Sequence, residues 1–145
     1  MGRIQDDTAD LADVIDRLTM WLRRQVPTAV SSSTITTLDS LAANGPSRIS
    51  DLAEREAISQ PGMTSLVNRL EAAGQAERVS DPTDGRAALV RITDAGLALL
   101  TQRHAARALV LGRELDRLDD TERAALTAAV PALRRLITMR ESASL

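Results

Sequence analysis

The sequence predicts a mainly α-helical protein with one small β-hairpin, which places it in the α+β class. Three observations support this prediction. The 145 residues are rich in alanine and leucine, with one Trp and no Phe or Tyr, and such a composition favours helix formation. Apolar residues recur at helical spacing through most of the chain. The exception is a pair of strand-like runs, 76–80 and 86–92, which flank Asp84-Gly85, a dipeptide typical of a tight hairpin turn.

A helix over about residues 60–73 is expected to have two different faces. Ser59 suits its N-cap, Pro61 suits its first turn, and Gly74 suits a left-handed cap after its last residue. The apolar face, which should pack inward, comprises Met63, Leu66, Val67 and Leu70. The opposite face comprises Gln60, Thr64, Ser65, Asn68 and Arg69. These are mostly neutral hydrogen-bonding side chains, whereas an ordinary solvated helix face is more often charged.

End signals set the limits of six expected helices. They span 6–26, a segment ending near residue 43, 51–57, about 60–73, about 94–118, and a segment that begins after Asp119. Pro27 should end the first helix, and one of the serines 31–33 should cap the second. Ile49 is expected in a very short strand, and Ser50 should cap the third helix. Pro131 lies inside the last apolar stripe and should kink or break that helix.

The first, fifth and sixth helices come from the two ends of the chain. Thr93 should cap the fifth helix, and Asp119 with Glu122 resembles a capping box for the sixth. Together these helices carry more apolar stripe than one small module can cover. Packing them against the same helices of a second copy would bury the stripes and give a two-fold dimer.

The third and fourth helices are short and are joined by a tight turn before Ser59, which matches a helix-turn-helix, and the hairpin would add a wing. A dimer would hold two such helices about 34 Å apart, the spacing of successive major grooves of DNA. The predicted organisation is a single domain over 1–145, with a winged helix-turn-helix DNA-binding part over 30–92 and a helical dimerisation part formed by 1–29 and 93–145.

Charge and rare residue types restrict the possible functions. The net charge of −2 argues against a general nucleic-acid-coating protein, because electrostatic affinity grows with the number of phosphates neutralised, but it permits a few well-placed cations. All 18 basic residues are Arg, which suits phosphates and guanine edges, although a compositional bias of the genome explains the lack of Lys equally well. With no Cys and one His, we expect no disulfide, thiol switch or metal site.

Catalytic and membrane features are also not expected. There is no Ser-His-Asp motif context, glycine-rich phosphate loop or metal-ligand spacing, so the sequence predicts neither an enzyme nor a cofactor. No apolar run approaches the length of a membrane span, and the first residues lack the apolar core of a signal peptide. The predicted location is the cytoplasm.

The segment after the fourth helix carries a specific set of residues. They are Leu70-Glu71 before Gly74, Glu77-Arg78, Asp81-Pro82, Asp84-x-Arg86, and Thr93 with Gly96. In these features the chain resembles the MarR family of bacterial winged helix-turn-helix regulators, and the resemblance extends over nearly the whole chain. It implies a homodimer that binds palindromic promoter DNA, usually as a repressor relieved by a small molecule.

The resemblance also implies roles for individual residues. Arg86 would enter the minor groove, and Asp84 would hold the wing in shape. The positions that would face the major groove are Gln60, Pro61, Thr64, Ser65 and Asn68. The sequence departs from the family pattern at Gln75-Ala76, where Leu-Ile or Leu-Val is usual, and at Gly85, where a second wing arginine is common. It also lacks almost all of the aromatic residues that often line the family's ligand cleft.

Each candidate DNA contact has a plainer alternative. Arg69 is expected to contact phosphate and not a base. For Arg86 the alternative is a solvated hairpin arginine paired with Asp84. Ser31 and Ser50 are candidate phosphate contacts at helix starts, and simple capping explains them equally well. The alternative for the whole protein is a winged-helix module that binds other proteins and not DNA.

A small aromatic or anionic effector is a further predicted partner. Arg17, Trp21 and His104 are the candidate residues of its pocket. The alternatives are a solvated helix face for Arg17, ordinary packing for Trp21, and an interface histidine with satisfied hydrogen bonds for His104.

Overall fold

A computed structural model describes residues 2–26 and 30–142, which form six helices and one two-stranded antiparallel sheet. The elements are α1 (Gly2–Gln25), α2 (Ser32–Asn44), α3 (Ile49–Arg55), α4 (Gln60–Ala72), β1 (Ala76–Ser80), β2 (Ala88–Ile92), α5 (Asp94–Leu115) and α6 (Asp120–Ser142). They belong to two compact units. The central unit is Thr28–His104, and the terminal unit is Met1–Pro27 together with Ala105–Leu145. The predicted fold class, mainly helical with one hairpin, is confirmed.

The core of the central unit is built around one face of α4. Met63, Leu66, Val67 and Leu70 are each at most 2% exposed, which confirms the inward face predicted for this helix. They form one buried cluster with side chains from α2, α3, β1, β2 and α5. Removing one such side chain from water contributes about 1.5–3 kcal/mol to the free energy of unfolding. Burial of all four therefore determines which side of α4 faces outward.

Hydrogen bonds at the helix ends confirm the predicted caps of α2 and α4. Ser31 Oγ accepts a hydrogen bond from the backbone N–H of Thr34 at 3.2 Å, and Ser59 Oγ accepts one from Gly62 at 3.3 Å. After α4, Gly74 has a φ of +70°, a left-handed conformation that glycine adopts without steric cost. The chain then turns directly from α4 into β1.

The hairpin loop is wider than the sequence predicts. β2 begins at Ala88 and not at Arg86, so the strands are joined by a loop over 81–87. The tight two-residue connection predicted at Asp84-Gly85 is therefore wrong. Asp84 does open a turn, which closes when the N–H of Ala87 donates to the Asp84 carbonyl at 2.9 Å. Gly85, however, lacks the positive φ that a tight hairpin of that type requires.

The start of α3 also differs from the prediction. The extended residue is Ser47, whose backbone forms two hydrogen bonds of 2.8 and 3.0 Å with Val90 of β2. Ile49, predicted in a short strand, is instead the first residue of α3. Arg48 occupies the N-cap position, so the prediction that Ser50 caps this helix is wrong. Because Ser47 is the residue hydrogen-bonded to β2, α3 begins at Ile49, two residues before the start predicted from a cap at Ser50.

The last two helices meet at the predicted capping box. The N–H of Glu122 donates to Asp119 Oδ1 at 2.8 Å, and the N–H of Asp119 donates to Glu122 Oε2 at 3.1 Å. α5 ends at Leu115, slightly before the predicted end. α6 continues through Pro131, so the predicted break does not occur. A proline removes one backbone hydrogen bond, and the helical turns on both sides of it keep theirs.

The helices of the terminal unit expose their apolar stripes. α1 begins at Gly2, before the predicted residue 6, and Pro27, its predicted end, lies outside the described residues. The exposed large apolar residues of this unit are Leu11, Val14, Ile15, Leu18, Met20, Leu109, Leu126, Val130, Leu133, Leu136 and Ile137. A set of this size on one chain is typical of a surface that binds another protein surface.

We predict that Gly96→Ala destabilises the protein. Gly96 is buried at the start of α5, and a Cβ atom there would lie 2.3 Å from the carbonyl oxygen of Gln75. Alanine would otherwise favour the helix by about 1 kcal/mol, but overlap with fixed backbone should outweigh this and lower the free energy of unfolding by about 1–3 kcal/mol. Urea denaturation followed by circular dichroism measures the change.

Gly112→Ala is the matched control in the same helix, because a Cβ atom at Gly112 meets no atom within 4 Å. This variant should be as stable as the parent or slightly more stable. Equal effects of the two substitutions would contradict the steric explanation.

Candidate nucleic-acid interface

The outward face of α4 presents hydrogen-bonding groups that the fold does not use. Gln60, Ser65 and Arg69 are exposed, and their side chains make no hydrogen bond or ion pair to any other described residue. Pro61 is also exposed. Thr64 is half-buried, and its hydroxyl donates to the Gln60 carbonyl at 2.9 Å. Since the opposite face is held in the core, this face remains available to a partner.

Asn68 is the exception on this face, because it is tied to β1. Its Oδ1 accepts a hydrogen bond from Arg78 Nη2 at 2.9 Å. Arg78 in turn pairs with Glu71 of α4 through its guanidinium, and its backbone N–H donates to Glu71 Oε1 at 3.1 Å. The sequence predicted no such role for Glu71 or Arg78, because two residues seven positions apart on different elements give no local signal that they are in contact.

A buried carboxylate organises the wing loop. Asp81 is 6% exposed, and its Oδ1 accepts hydrogen bonds from the hydroxyl and the backbone N–H of Thr83 at 2.7 and 2.8 Å. Its Oδ2 accepts two bonds from the guanidinium of Arg48, at 2.7 and 3.1 Å. The Thr83 hydroxyl, and next the Arg48 guanidinium, hold the pKa of Asp81 far below its usual range. The loop is therefore fastened to the residue that precedes α3.

Asp84 and Arg86 lie at the tip of the same loop. Asp84 Oδ1 accepts a hydrogen bond from the backbone N–H of Arg86 at 3.2 Å, and Asp84 Oδ2 lies 3.8 Å from Arg48 Nη2. The guanidinium of Arg86 is exposed and has no partner within the described part of the chain. Of Arg86, Asp84 thus contacts only the backbone, and the guanidinium of Arg86 remains accessible to a binding partner.

From the sequence, Asp81 was selected only as part of the MarR resemblance, and no role in the wing was predicted for it or for Arg48. A signal for one of them is present, because an Asp followed two residues later by a Thr is typical of a side-chain-stabilised turn. The partner Arg48 is 33 residues away and lacks such a signal.

The two serines predicted near phosphate have different environments. Ser31 Oγ is engaged in capping α2 and also lies 2.9 Å from Ser33 Oγ. Ser50 is exposed, and its hydroxyl donates to Asp51 Oδ1 at 3.2 Å. Both hydroxyls thus have partners within the protein.

The three candidate effector residues are divided between the two units. Arg17 is 78% exposed and pairs with Asp13 at 2.7 Å, and Trp21 is half-buried one turn later on α1. His104 belongs to the central unit, where its Nε2 lies 3.9 Å from Asp39 Oδ1 and its side chain is 63% exposed. An open cleft of about 440 Å³ in the central unit is lined by Gly74, Glu77 and 91–95, and by none of these three residues.

Within 2–26 and 30–142, no group of three or more His, Cys, Asp or Glu residues is arranged to hold a metal ion. None of the helices in these ranges is both long and apolar enough to span a membrane.

A short helix pair with an outward polar face, followed by a hairpin with an exposed arginine at its tip, defines a winged helix-turn-helix protein. The model of the MarR family matches residues 30–87. The chain is 32% identical over 130 residues to an uncharacterised HTH-type transcriptional regulator of Mycobacterium bovis, covering 89% of this chain and 91% of that protein. The chain therefore belongs to the MarR family of DNA-binding transcriptional regulators, as its sequence predicted.

Solved structures agree with this assignment. A putative transcriptional regulator of Pseudomonas aeruginosa is 27% identical, with a TM-score of 0.82 over 95% of this chain and 97% of that one. The PcaV regulator of Streptomyces coelicolor, solved with its natural ligand, is 25% identical, with a TM-score of 0.55 over 86% of this chain and 89% of that one. Proteins of this family are transcriptional regulators and not enzymes, and they bind DNA and dimerise.

We predict that Asp81→Asn lowers stability in a pH-dependent way. Because folding lowers the pKa of Asp81, its ionised form stabilises the folded state at pH values above the ordinary aspartate pKa of about 4. This stabilisation is lost as the pH falls below that value toward the folded pKa. The urea midpoint of Asp81→Asn should therefore lie well below that of the parent at pH 7, and the gap should narrow progressively as the pH falls from about 4 toward about 2.

Asp10→Asn is the control, because Asp10 is exposed on α1 and has no hydrogen bond or ion pair to the described residues. Its midpoint should match that of the parent at pH 7. A gap for Asp81→Asn that stays the same between pH 7 and about pH 2 would show that the carboxylate charge is not the cause.

Proposed function

We propose that this regulator is a homodimeric repressor that binds a palindromic promoter site and is released by a small-molecule effector. The observation that supports this most directly is that two exposed surfaces of the central unit have polar groups without partners among the residues that the structure describes. These groups are side chains on the outward face of α4 and the guanidinium of Arg86 on the wing.

In this proposal α4 lies in the major groove. Gln60, Ser65 and Asn68 would contact base edges, with Pro61 and Thr64 packed close to the same groove. Arg69 would contact phosphate. Ser31 and Ser50 would contact the DNA backbone in a secondary role, since each hydroxyl already has a partner within the protein.

The wing would read the shape of the minor groove. A narrow minor groove concentrates negative potential, and an arginine at a loop tip can enter it. Asp84 would keep the loop in the required conformation through its bond to the backbone of Arg86. The bonds from Arg48 and Thr83 to Asp81 would hold the base of the same loop.

Dimerisation is proposed to use residues 1–29 and 93–145, with 30–92 as the DNA-binding part. The support is the exposed apolar stripe along α1 and α6, which burial against a second copy would remove from water. A two-fold axis would then relate two α4 helices about 34 Å apart, which suits a palindromic DNA site.

Release by an effector is proposed by analogy with PcaV, which was solved with its natural ligand. Arg17, Trp21 and His104 are the residues proposed to bind an aromatic or anionic molecule. Such a molecule would weaken DNA binding if it binds more tightly to a dimer in which the spacing of the two α4 helices does not fit the DNA site. A bacterial promoter-binding protein of this kind would act in the cytoplasm.

Arg86→Ala should weaken binding to DNA sites selected from a randomised duplex pool. Loss of one minor-groove arginine should cost about 1–3 kcal/mol, or roughly five- to 150-fold in affinity, and reduce the slope of affinity against salt by about one. Fluorescence anisotropy over a salt series measures both. Arg113→Ala, an exposed arginine of the terminal unit, should bind as the parent does. Parental binding by Arg86→Ala would contradict the minor-groove role.

Leu133→Glu should convert the dimer to a monomer, because it places a charge in the middle of the apolar stripe of α6. We expect a halved mass by sedimentation velocity and at least tenfold weaker DNA binding. Ala128→Glu, on the opposite side of the same helix, is the control and should remain dimeric. A dimeric Leu133→Glu variant would exclude this stripe as the interface.

A further inference from the structure

The bond between Asn68 and Arg78 fixes which end of the amide faces outward. A guanidinium only donates hydrogen bonds, so the amide atom beside Arg78 Nη2 must be the oxygen. The Nδ2 group is therefore the free end, and it has no partner among the other described residues. Asn68 thus offers two donors to a ligand, while its acceptor is directed toward β1.

Arg78 is itself held in place. Glu71 pairs with its guanidinium and also accepts a hydrogen bond from its backbone N–H at 3.1 Å. The side chains of Arg78 and Glu71 are only 34% and 27% exposed, so the pair is partly shielded from water. A charge-assisted hydrogen bond in such a site is stronger than one in open solvent. The Glu71–Arg78–Asn68 chain therefore resists inversion of the amide.

This arrangement favours one class of base edge. Adenine pairs with an asparagine by donating from its N6 amino group to Oδ1, but here Oδ1 is bound to a cation that would repel an approaching donor. Guanine presents two acceptors, O6 and N7, which suit an amide donor with a positive charge behind it. Thymine presents one acceptor beside a methyl group. Guanine is thus the best match.

We propose that Asn68 selects guanine, and that Arg78 is the positioning residue that makes it do so. This inference rests on the proposed function, in which α4 lies in the major groove. It differs from the bidentate adenine contact that an asparagine on a recognition helix would otherwise be expected to make.

The test is selection of binding sites from a randomised duplex pool by the parent and three variants. Asn68→Ala identifies the base position that Asn68 reads, because preference is lost there. At that position the parent should select guanine. Arg78→Met keeps an unbranched apolar stem but removes the cation, so the amide can invert. The guanine-to-adenine affinity ratio should then fall about tenfold, in line with one base contact.

Arg91→Met is the matched control. Arg91 is also a hairpin arginine paired with a glutamate, Glu77, at 2.6 Å, but its bonds do not reach α4. Its base preferences should equal those of the parent. Thermal melting of each variant verifies that it is folded.

A second measurement uses the parent protein alone and so does not depend on the folding of any variant. Replacing the selected guanine by 7-deazaguanine removes the N7 acceptor and should weaken binding at least fivefold. Replacing it by inosine leaves N7 and O6 in place and should change affinity little.

The outcomes separate the two proposals. If the parent selects no DNA sequence at any salt concentration, the proposed function and this inference both fail. If it selects a site but has another base at the Asn68 position, or if Arg78→Met keeps the parental guanine preference, only this inference fails.

Discussion

Burial of the apolar face of α4 is the constraint on which the rest of the site depends. Met63, Leu66, Val67 and Leu70 lie in the core together with side chains from every neighbouring element of the central unit. Rotation of α4 about its axis would expose these side chains to water, at a cost far larger than any single polar contact could offset. The polar face is therefore held outward by interactions on the other side of the helix, and its own side chains need not hold it.

The wing is ordered by a different kind of interaction. Its loop is exposed and has little apolar surface to bury, so one carboxylate, Asp81, supplies the order by accepting hydrogen bonds from Thr83 and Arg48. Removing a charge from water is costly unless its hydrogen-bonding capacity is satisfied, and here both carboxylate oxygens of Asp81 accept hydrogen bonds. Because Arg48 immediately precedes α3, the wing is joined to the helix-turn-helix by these bonds and not only through the chain.

Sequence could predict the features that local spacing determines. The two faces of α4 and the cap at Ser59 followed from patterns within a few residues, and the cap of α2 was narrowed to serines 31–33. The family followed from residues spread over 70–96. The conformation of the hairpin loop could not be predicted in this way. Asp84-Gly85 matches a tight turn locally, but the hydrogen bonds to Asp81 stabilise a wider loop. The contact between Asn68 and Arg78 was missed for a related reason, since a pair ten residues apart is brought together only when β1 packs beside α4.

The outward face of α4 combines two kinds of side chain with different evolutionary consequences. Gln60 and Ser65 have no partner among the described residues, so exchange of either should cost folding little. In the proposed function, such an exchange would change DNA preference. Asn68 belongs to a chain of hydrogen bonds and ion pairs with Glu71 and Arg78. Its exchange would leave the Arg78 guanidinium without one of its hydrogen-bond acceptors. Under the proposed function, descendants of this regulator could therefore acquire new target sites through single changes at Gln60 or Ser65, whereas a new preference at Asn68 would require coordinated change on the neighbouring strand.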